Sequence, residues 1–218
     1  MTKIANKSLV RTQTTLCFVC VAQFQRLEIK MRTTLFVILL SLSSVAAADE
    51  LLWQKVEQEP NIVVFMRNAE SSGNRDGSNM LKWDSSGKCI GESTLTSTGR
   101  VQAKRVGEAF EKRGIKPLVI SSPMCRCKET AEIAFGEYLT DPDLRQRPAI
   151  DTVGQEAFQK TASELLTKHR GKSPIVFVNH RPNIDALTME LISIGELLVG
   201  TLDEDGEIEV LGKIRLEQ

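Results

Sequence analysis

The sequence predicts an α/β fold, a three-layer α/β/α sandwich around a largely parallel sheet. Short continuous apolar runs, Asn61–Met66, Leu118–Ser121 and Ile175–Val178, have the length and content of strands covered on both faces. Segments with helical apolar spacing alternate with them, and strands alternating with helices of this length make parallel sheets with helices on either side.

The chain opens on a region that reads as a leader. Arg32 begins a short basic stretch, Leu35–Leu40 is apolar, and Ala46, Ala47 and Ala48 are the small residues a signal peptidase reads, so residues 31–48 form a secretory signal. Residues 1–30 in front of it are expected to follow a misplaced start, with Met31 the true beginning. The competing readings are an unusually long leader, or a buried amphipathic arm using Leu16 to Phe24. Neither apolar run reaches the ~20 residues that span a bilayer. The expectation is a periplasmic or secreted domain over residues 49–218, with no stable membrane span after cleavage.

Six of the 28 basic residues and one of the 28 acidic residues fall in residues 1–48. The remainder carries 22 basic and 27 acidic residues, a net charge of 22 − 27 = −5. That balance excludes nucleic acid as the main partner but leaves room for one small anion in a locally basic pocket. Beyond the leader, the cysteines are Cys89, Cys125 and Cys127. An oxidising compartment allows one disulfide, Cys89 with either Cys125 or Cys127. The spacing fits no zinc knuckle, and no metal triad, P-loop or dinucleotide fingerprint is visible, so no metal or cofactor is expected.

Within the domain, Asn61–Met66 is the first strand, and the glycine-dotted segment from Ser71 to Thr94 is a long loop of the kind that carries function. Trp83 within it packs on a sugar or anchors the loop. Thr96 to Arg113 is helical, with Thr96 or Ser97 as cap and Gly114 as stop. Leu118–Ser121 is the second strand, and Pro123 opens a helix to about Phe135. Glu156 to Lys168 is the third helix, Ile175–Val178 the third strand, and Ile184 to Ile194 a fourth helix. Leu197–Leu202 and Glu207–Ile214 form a terminal hairpin around Asp205-Gly206.

Such sheets bind ligands beyond the carboxyl ends of their strands. Arg67, Arg126 and His180 all follow strand-like runs and converge there. Two planar guanidinium forks and an imidazole suit the spread negative charge of a phosphoryl group. The backbone amides opening the helix after Pro123 favour the same anion, and Asn74 adds a donor from the loop.

Four motifs in order resemble the histidine phosphatase, or phosphoglycerate mutase-like, superfamily. They are Val64–Ser71, the turn from Leu95 to Gly99, Ser121–Ala131, and Val178–Ile184. The size and leader look most like short exported bacterial members that act on phosphorylated envelope sugars. The resemblance implies a metal-free phosphomonoester hydrolase in which the first motif reads Arg-His-Gly or Arg-His-Ala and its histidine attacks phosphorus. Here the aligned residue is Asn68, an amide that cannot form the covalent intermediate. Arg67, Arg126 and His180 match the other phosphate ligands, with Glu70 and Asn74 in support. Asp84, Asp151 and Glu156 are candidates for the acid that protonates the leaving oxygen. The expected outcome is a phosphate-ester site with impaired hydrolysis. The alternatives are a rewired enzyme attacking through His180, Cys125 or Cys127, and a non-catalytic interaction domain with a vestigial pocket.

Overall fold

The computed structural model describes residues 49–73 and 79–216. Residues 49–218 make up one compact unit. The expected leader, with its Cys17 and Cys20, and the expected loop ligand Asn74 lie outside the described residues. Among the described residues no helix is long and apolar enough to cross a membrane.

The sheet has six strands: β1 (Ile62–Arg67), β2 (Leu118–Ser121), β3 (Leu139–Thr140), β4 (Ile175–Asn179), β5 (Glu196–Leu202) and β6 (Ile208–Arg215). Their order is β3-β2-β4-β1-β5-β6. The first four run parallel, and the β5–β6 hairpin adds an antiparallel edge beside β1. The helices are α1 (residues 49–58), α2 (Ser97–Glu111), α3 (Cys125–Phe135), α4 (Thr152–His169) and α5 (Arg181–Thr188), with a short 3-10 turn over Pro142–Leu144.

Alternation along the strands builds two cores. Val64 and Met66 of β1 and Val176 and Val178 of β4 face α1, α2 and α3, meeting Trp53, Phe110 and Ala131. Val63, Phe65, Ile175 and Phe177 face the other way, onto Phe158, Ala162 and Leu166 of α4 and Ile184 of α5. The three layers expected from the sequence are therefore present. Both faces of the central strands are apolar because both are covered.

Several boundaries differ from the expected ones for local reasons. Helix α4 starts at Thr152 rather than Glu156, because the Asp151 side chain accepts from the Gly154 N–H at 2.9 Å and caps it. Helix α5 begins at Arg181, with Pro182 in its first turn, and stops at Thr188 rather than Ile194. The Thr188 hydroxyl bonds back to the Ile184 carbonyl at 2.8 Å, and Met189 takes a left-handed conformation that ends the turn. Helix α1 and the edge strand β3 had no counterpart in the sequence reading. Trp53 anchors α1 by an edge-on contact with Phe110 at 5.1 Å, with the Arg113 guanidinium over its ring.

The turn leading into α2 depends on a glycine. A Cβ at Gly99 would overlap the Glu70 carbonyl, so the first turn of α2 lies directly on the chain leaving β1. Thr96 caps α2 by accepting from the Gly99 N–H, and its hydroxyl donates to Glu70 Oε1 at 2.8 Å.

Candidate active site

The register sets three strand ends level: Arg67 of β1 pairs with Asn179 of β4, and Ser121 of β2 pairs with Val178. The segments leaving these strands carry Asn68, Ser122 and His180, which are buried side by side. The main chain knits them together, with the Asn68 and Ser122 amides donating to the Asn179 and Val178 carbonyls, each at 3.0 Å. The Ala69 N–H donates to the Thr130 hydroxyl, which in turn donates to the Arg126 carbonyl, docking the first loop onto α3.

Arg126 is a fully buried arginine. Its Nη2, with two hydrogens to give, lies within bonding distance of three acceptors: the Met80 carbonyl at 2.9 Å, Gln146 Oε1 at 2.8 Å and His180 Nδ1 at 2.9 Å. Its Nε and Nη1 have no hydrogen-bond partner among the described residues. A guanidinium carries five N–H donors, so those two nitrogens leave three idle in a site closed to bulk water. Burial pulls the Arg126 pKa below that of a free guanidinium; Cys127 and Glu92 offset this only in part.

His180 is also buried, and Arg126 determines its state. A guanidinium only donates, so when Nη2 bonds Nδ1 the ring proton sits on Nε2, 2.8 Å from the Ser122 hydroxyl. Burial, then the charges of Arg126 and Arg67, hold its pKa well below the ordinary imidazole value. A neutral His180 offers a ligand one ring N–H and no charge.

Arg67, Asn68, Met80, Gln146, His180, Arg181 and Asp185, with Pro182 and Leu191, line a cavity of about 420 Å³. Arg126 bonds to three of these lining residues, Met80, Gln146 and His180. The Arg67 pKa is lowered by burial first, then by the charges of Arg181 and Arg126. Three guanidinium groups thus concentrate positive potential at one place. Asn68 faces the cavity with Nδ2 donating to the Ala69 carbonyl at 2.9 Å.

The other expected site residues have different roles. The α3 amides were expected to greet an anion, but the Cys125 N–H donates to Glu92 Oε2 at 2.8 Å and the Met124 N–H faces the Ser122 hydroxyl. Glu92, also bonded to the Asp84 N–H, therefore occupies that helix start. Glu70 clamps Thr96 and lies outside the cavity lining. Asp84 organises its loop by accepting from Ile90 and Ser86 amides, and those bonds lower its pKa, the wrong direction for a proton donor. Asp151 is the α4 cap, its pKa lowered chiefly by the Gly154 N–H. Glu156 is exposed on α4. None of these three acids lines the cavity.

The cysteine question resolves to a Cys89–Cys125 disulfide, leaving Cys127 as a free, buried thiol. Cys127 Sγ lies 3.6 Å from His180 Nδ1, and burial pushes its pKa up to about 12. It is not a thiolate at neutral pH. Among the described residues no group of three His, Cys, Asp or Glu is placed to hold a metal ion. Sequence reasoning missed Met80, Gln146, Arg181 and Asp185. Only Arg181 had a visible signal, its place directly after His180.

The sequence pattern of the histidine phosphatase superfamily (branch 1) matches residues 63–158. Among solved structures, the chain is similar to the protein histidine phosphatase SixA complexed with tungstate, at 15% identity and a TM-score of 0.51, covering 71% of this chain and 96% of that one. It is similar to phosphoserine phosphatase from Entamoeba histolytica in complex with 3-phosphoglyceric acid, at 18% identity and a TM-score of 0.53, covering 72% and 98%. It is also similar to the open reading frame Rv3214 from Mycobacterium tuberculosis, at 17% identity and a TM-score of 0.54, covering 69% and 95%. At such identities these likenesses speak for the fold alone. No curated relative matches the chain by sequence.

Proposed function

We propose that this chain is a member of the histidine phosphatase superfamily, binds a phosphate monoester in the cavity that Arg67 lines and Arg126 backs, and hydrolyses it poorly or not at all. The observation that carries the reading is Arg126, a buried cation with two nitrogens lacking any protein acceptor among the described residues, bonded to the cavity lining. An unpaired buried charge is costly, and a bound anion is the partner that offsets it. The ligands named for the neighbouring structures, tungstate and 3-phosphoglyceric acid, are anions of the kind such a cavity would take.

Impaired hydrolysis follows from Asn68. Its amide nitrogen is delocalised into the carbonyl and has no lone pair with which to attack phosphorus. The substitutes expected for a rewired site are poorly placed to act. Cys125 is held in a disulfide, Cys127 keeps its proton, and the His180 lone pair is aimed at Arg126. An exported location, and envelope sugar phosphates as ligands, belong to the same proposal; the Cys89–Cys125 disulfide suits an oxidising compartment.

Isothermal titration with inorganic phosphate and turnover of p-nitrophenyl phosphate by the native protein and Asn68→His test the reading together. Phosphate binding by both proteins, with a rate gain on the order of 10³-fold in the variant, is the expected result. Native turnover matching that of the variant would remove the impairment, and absence of phosphate binding in both would leave an interaction domain with a vestigial pocket.

A further inference from the structure

We propose that the Cys89–Cys125 disulfide is a redox switch on the anion site: closed, it holds one wall of the cavity in place, and its reduction releases that wall and weakens phosphate binding. This rests on the phosphate-binding reading above. Three observations lead to it.

The bond joins the two segments that meet at Arg126. Cys125 is the first residue of α3, fully buried and directly before Arg126. Cys89 belongs to the loop of residues 79–94, and the same loop supplies Met80, which lines the cavity and sets its carbonyl 2.9 Å from Arg126 Nη2. Arg126 therefore touches, through Met80, the loop to which its neighbour is covalently tied.

Helix and loop differ in what else holds them. Helix α3 is docked by the Ala69 N–H on the Thr130 hydroxyl, and Cys127 and Ala131 place it in the core. It also lies so close to α2 that a Cβ at Gly107 would overlap the Ala134 carbonyl. The loop is a surface element, with Leu81, Lys82, Ser85, Ser86, Lys88 and Ile90 exposed. It leans on the Arg145 guanidinium through the Trp83 ring at 4.7 Å and on exposed Lys128 through the Gly87 carbonyl at 3.4 Å. Such exposed contacts hold a chain weakly. Opening the disulfide thus frees the loop and leaves the helix.

Cys89 is also in a conformation that something must hold. Its φ is 62°, between Gly87 and Gly91 at 75° and 73°, and this left-handed region is unfavourable for a residue with a Cβ. Its sulfur is the reachable one, since Cys89 is partly exposed and Cys125 is buried. A dithiol reductant attacks there. The S–S bond takes up two electrons and two protons to give the Cys89 and Cys125 thiols, and the dithiol closes to its own disulfide. The turn at Cys89 then relaxes, and the wall stands closed over Arg126 for only part of the time. Apparent affinity falls by that fraction, which release of one strained residue sets at about one tenth. Linkage makes the effect reciprocal: a tenfold preference of phosphate for the oxidised protein shifts the two-electron couple by about 30 mV.

Calorimetric titration with inorganic phosphate of the oxidised protein, the protein reduced with dithiothreitol, and Cys89→Ser reads this out. Reduction and the substitution should each weaken binding about tenfold, while circular dichroism and a cooperative urea transition show the fold retained. Trypsin should cut the reduced protein first at Lys82 or Lys88, and phosphate should slow that cut. In buffers of reduced and oxidised dithiothreitol, with Cys89 and Cys125 alkylated and weighed, saturating phosphate should move the midpoint about 30 mV more negative.

Equal phosphate affinity in the oxidised and reduced proteins, or a midpoint that phosphate does not move, would overturn the inference. Weakened binding that comes with loss of the cooperative urea transition in both the reduced protein and Cys89→Ser would overturn it as well, because the disulfide would then be a staple for the whole domain. These results leave phosphate binding by the oxidised protein intact. If the oxidised protein binds no phosphate, the underlying reading fails and takes this inference with it.

Discussion

Arg126→Met separates a residue kept for a ligand from one kept for the fold. The variant retains an unbranched side chain of similar reach but removes the charge. Two opposed terms set the outcome. The Nη2 donor is lost to three acceptors, of which the Met80 carbonyl and Gln146 amide are only partly buried and can take water, whereas His180 Nδ1 is closed in. Leaving that one acceptor unmet costs about 1–3 kcal/mol. Against it stands relief of a desolvated cation with idle donors, an effective penalty of several kcal/mol. Without ligand, Arg126→Met should therefore unfold in urea within about 2 kcal/mol of the native protein, or above it. With phosphate at a hundredfold excess over Kd, the native protein should gain about 2.7 kcal/mol. For a unit of this size that is a rise in Tm of about 5–10 °C, which the variant should lack. A ligand-free loss above about 4 kcal/mol would show that Arg126 is chiefly structural. A preserved phosphate shift would refute its place in the site.

Further expectations concern protons and the disulfide. His180 is held neutral when folded but takes a proton near pH 6.5 when unfolded, so the unfolded state binds more protons below that value. Stability should fall as pH drops below about 6.5, by at most about 1.4 kcal/mol per pH unit from this residue, and His180→Gln should flatten that slope in urea titrations at pH 5 to 7. Reduction of Cys89–Cys125, which spans a sequence separation of 36, should cost about 4 kcal/mol by loop-closure entropy, read as a drop in the urea midpoint with dithiothreitol. Affinity for a phosphate monoester should rise as the ligand loses its second proton near about pH 6 and stay flat to about pH 9, since the cavity cations are guanidiniums; a decline between about pH 7 and 8 would mean that His180 binds as a cation.

The legible part of the fold was the part encoded locally. The runs at Asn61, Leu118 and Ile175 are apolar on both faces because α1–α3 and α4–α5 cover them, and that burial is written in consecutive residues. Residues following those runs had to meet, so Arg67, Arg126 and His180 could be named together. Helix α1 was not legible because its stability comes from Trp53 lying on Phe110, a contact between distant segments. Gln146 and Met80 carry no signal of their own. The first reaches the cavity because Asn183 Nδ2 approaches the Leu144 and Arg145 carbonyls at 3.3 Å and holds that loop against α5. Asp84 and Asp151 misled for the opposite reason. A carboxylate near a helix or turn start reads the same whether it caps the chain or transfers a proton, and here both are capping.

In the proposed function, phosphate binding and attack on phosphorus rest on different residues, so losing one need not dismantle the other. Arg126 is held by Met80, Gln146 and His180; the helix carrying it is started by Glu92 and docked through Thr130; the His180 backbone is fixed by the Asn179 side chain, itself bonded to Asn183. Asn68 enters none of these bonds through its side chain, whose amide turns to the neighbouring Ala69 carbonyl. A change at position 68 therefore alters the cavity lining without breaking the bonds that hold Arg126 and His180. The positive charge concentrated by Arg67, Arg126 and Arg181 is likewise independent of whether position 68 is an amide or an imidazole. Under the proposed function, affinity for an anion and capacity to cleave it can thus vary separately, the first set by the arginines around the cavity and the second by a single side chain.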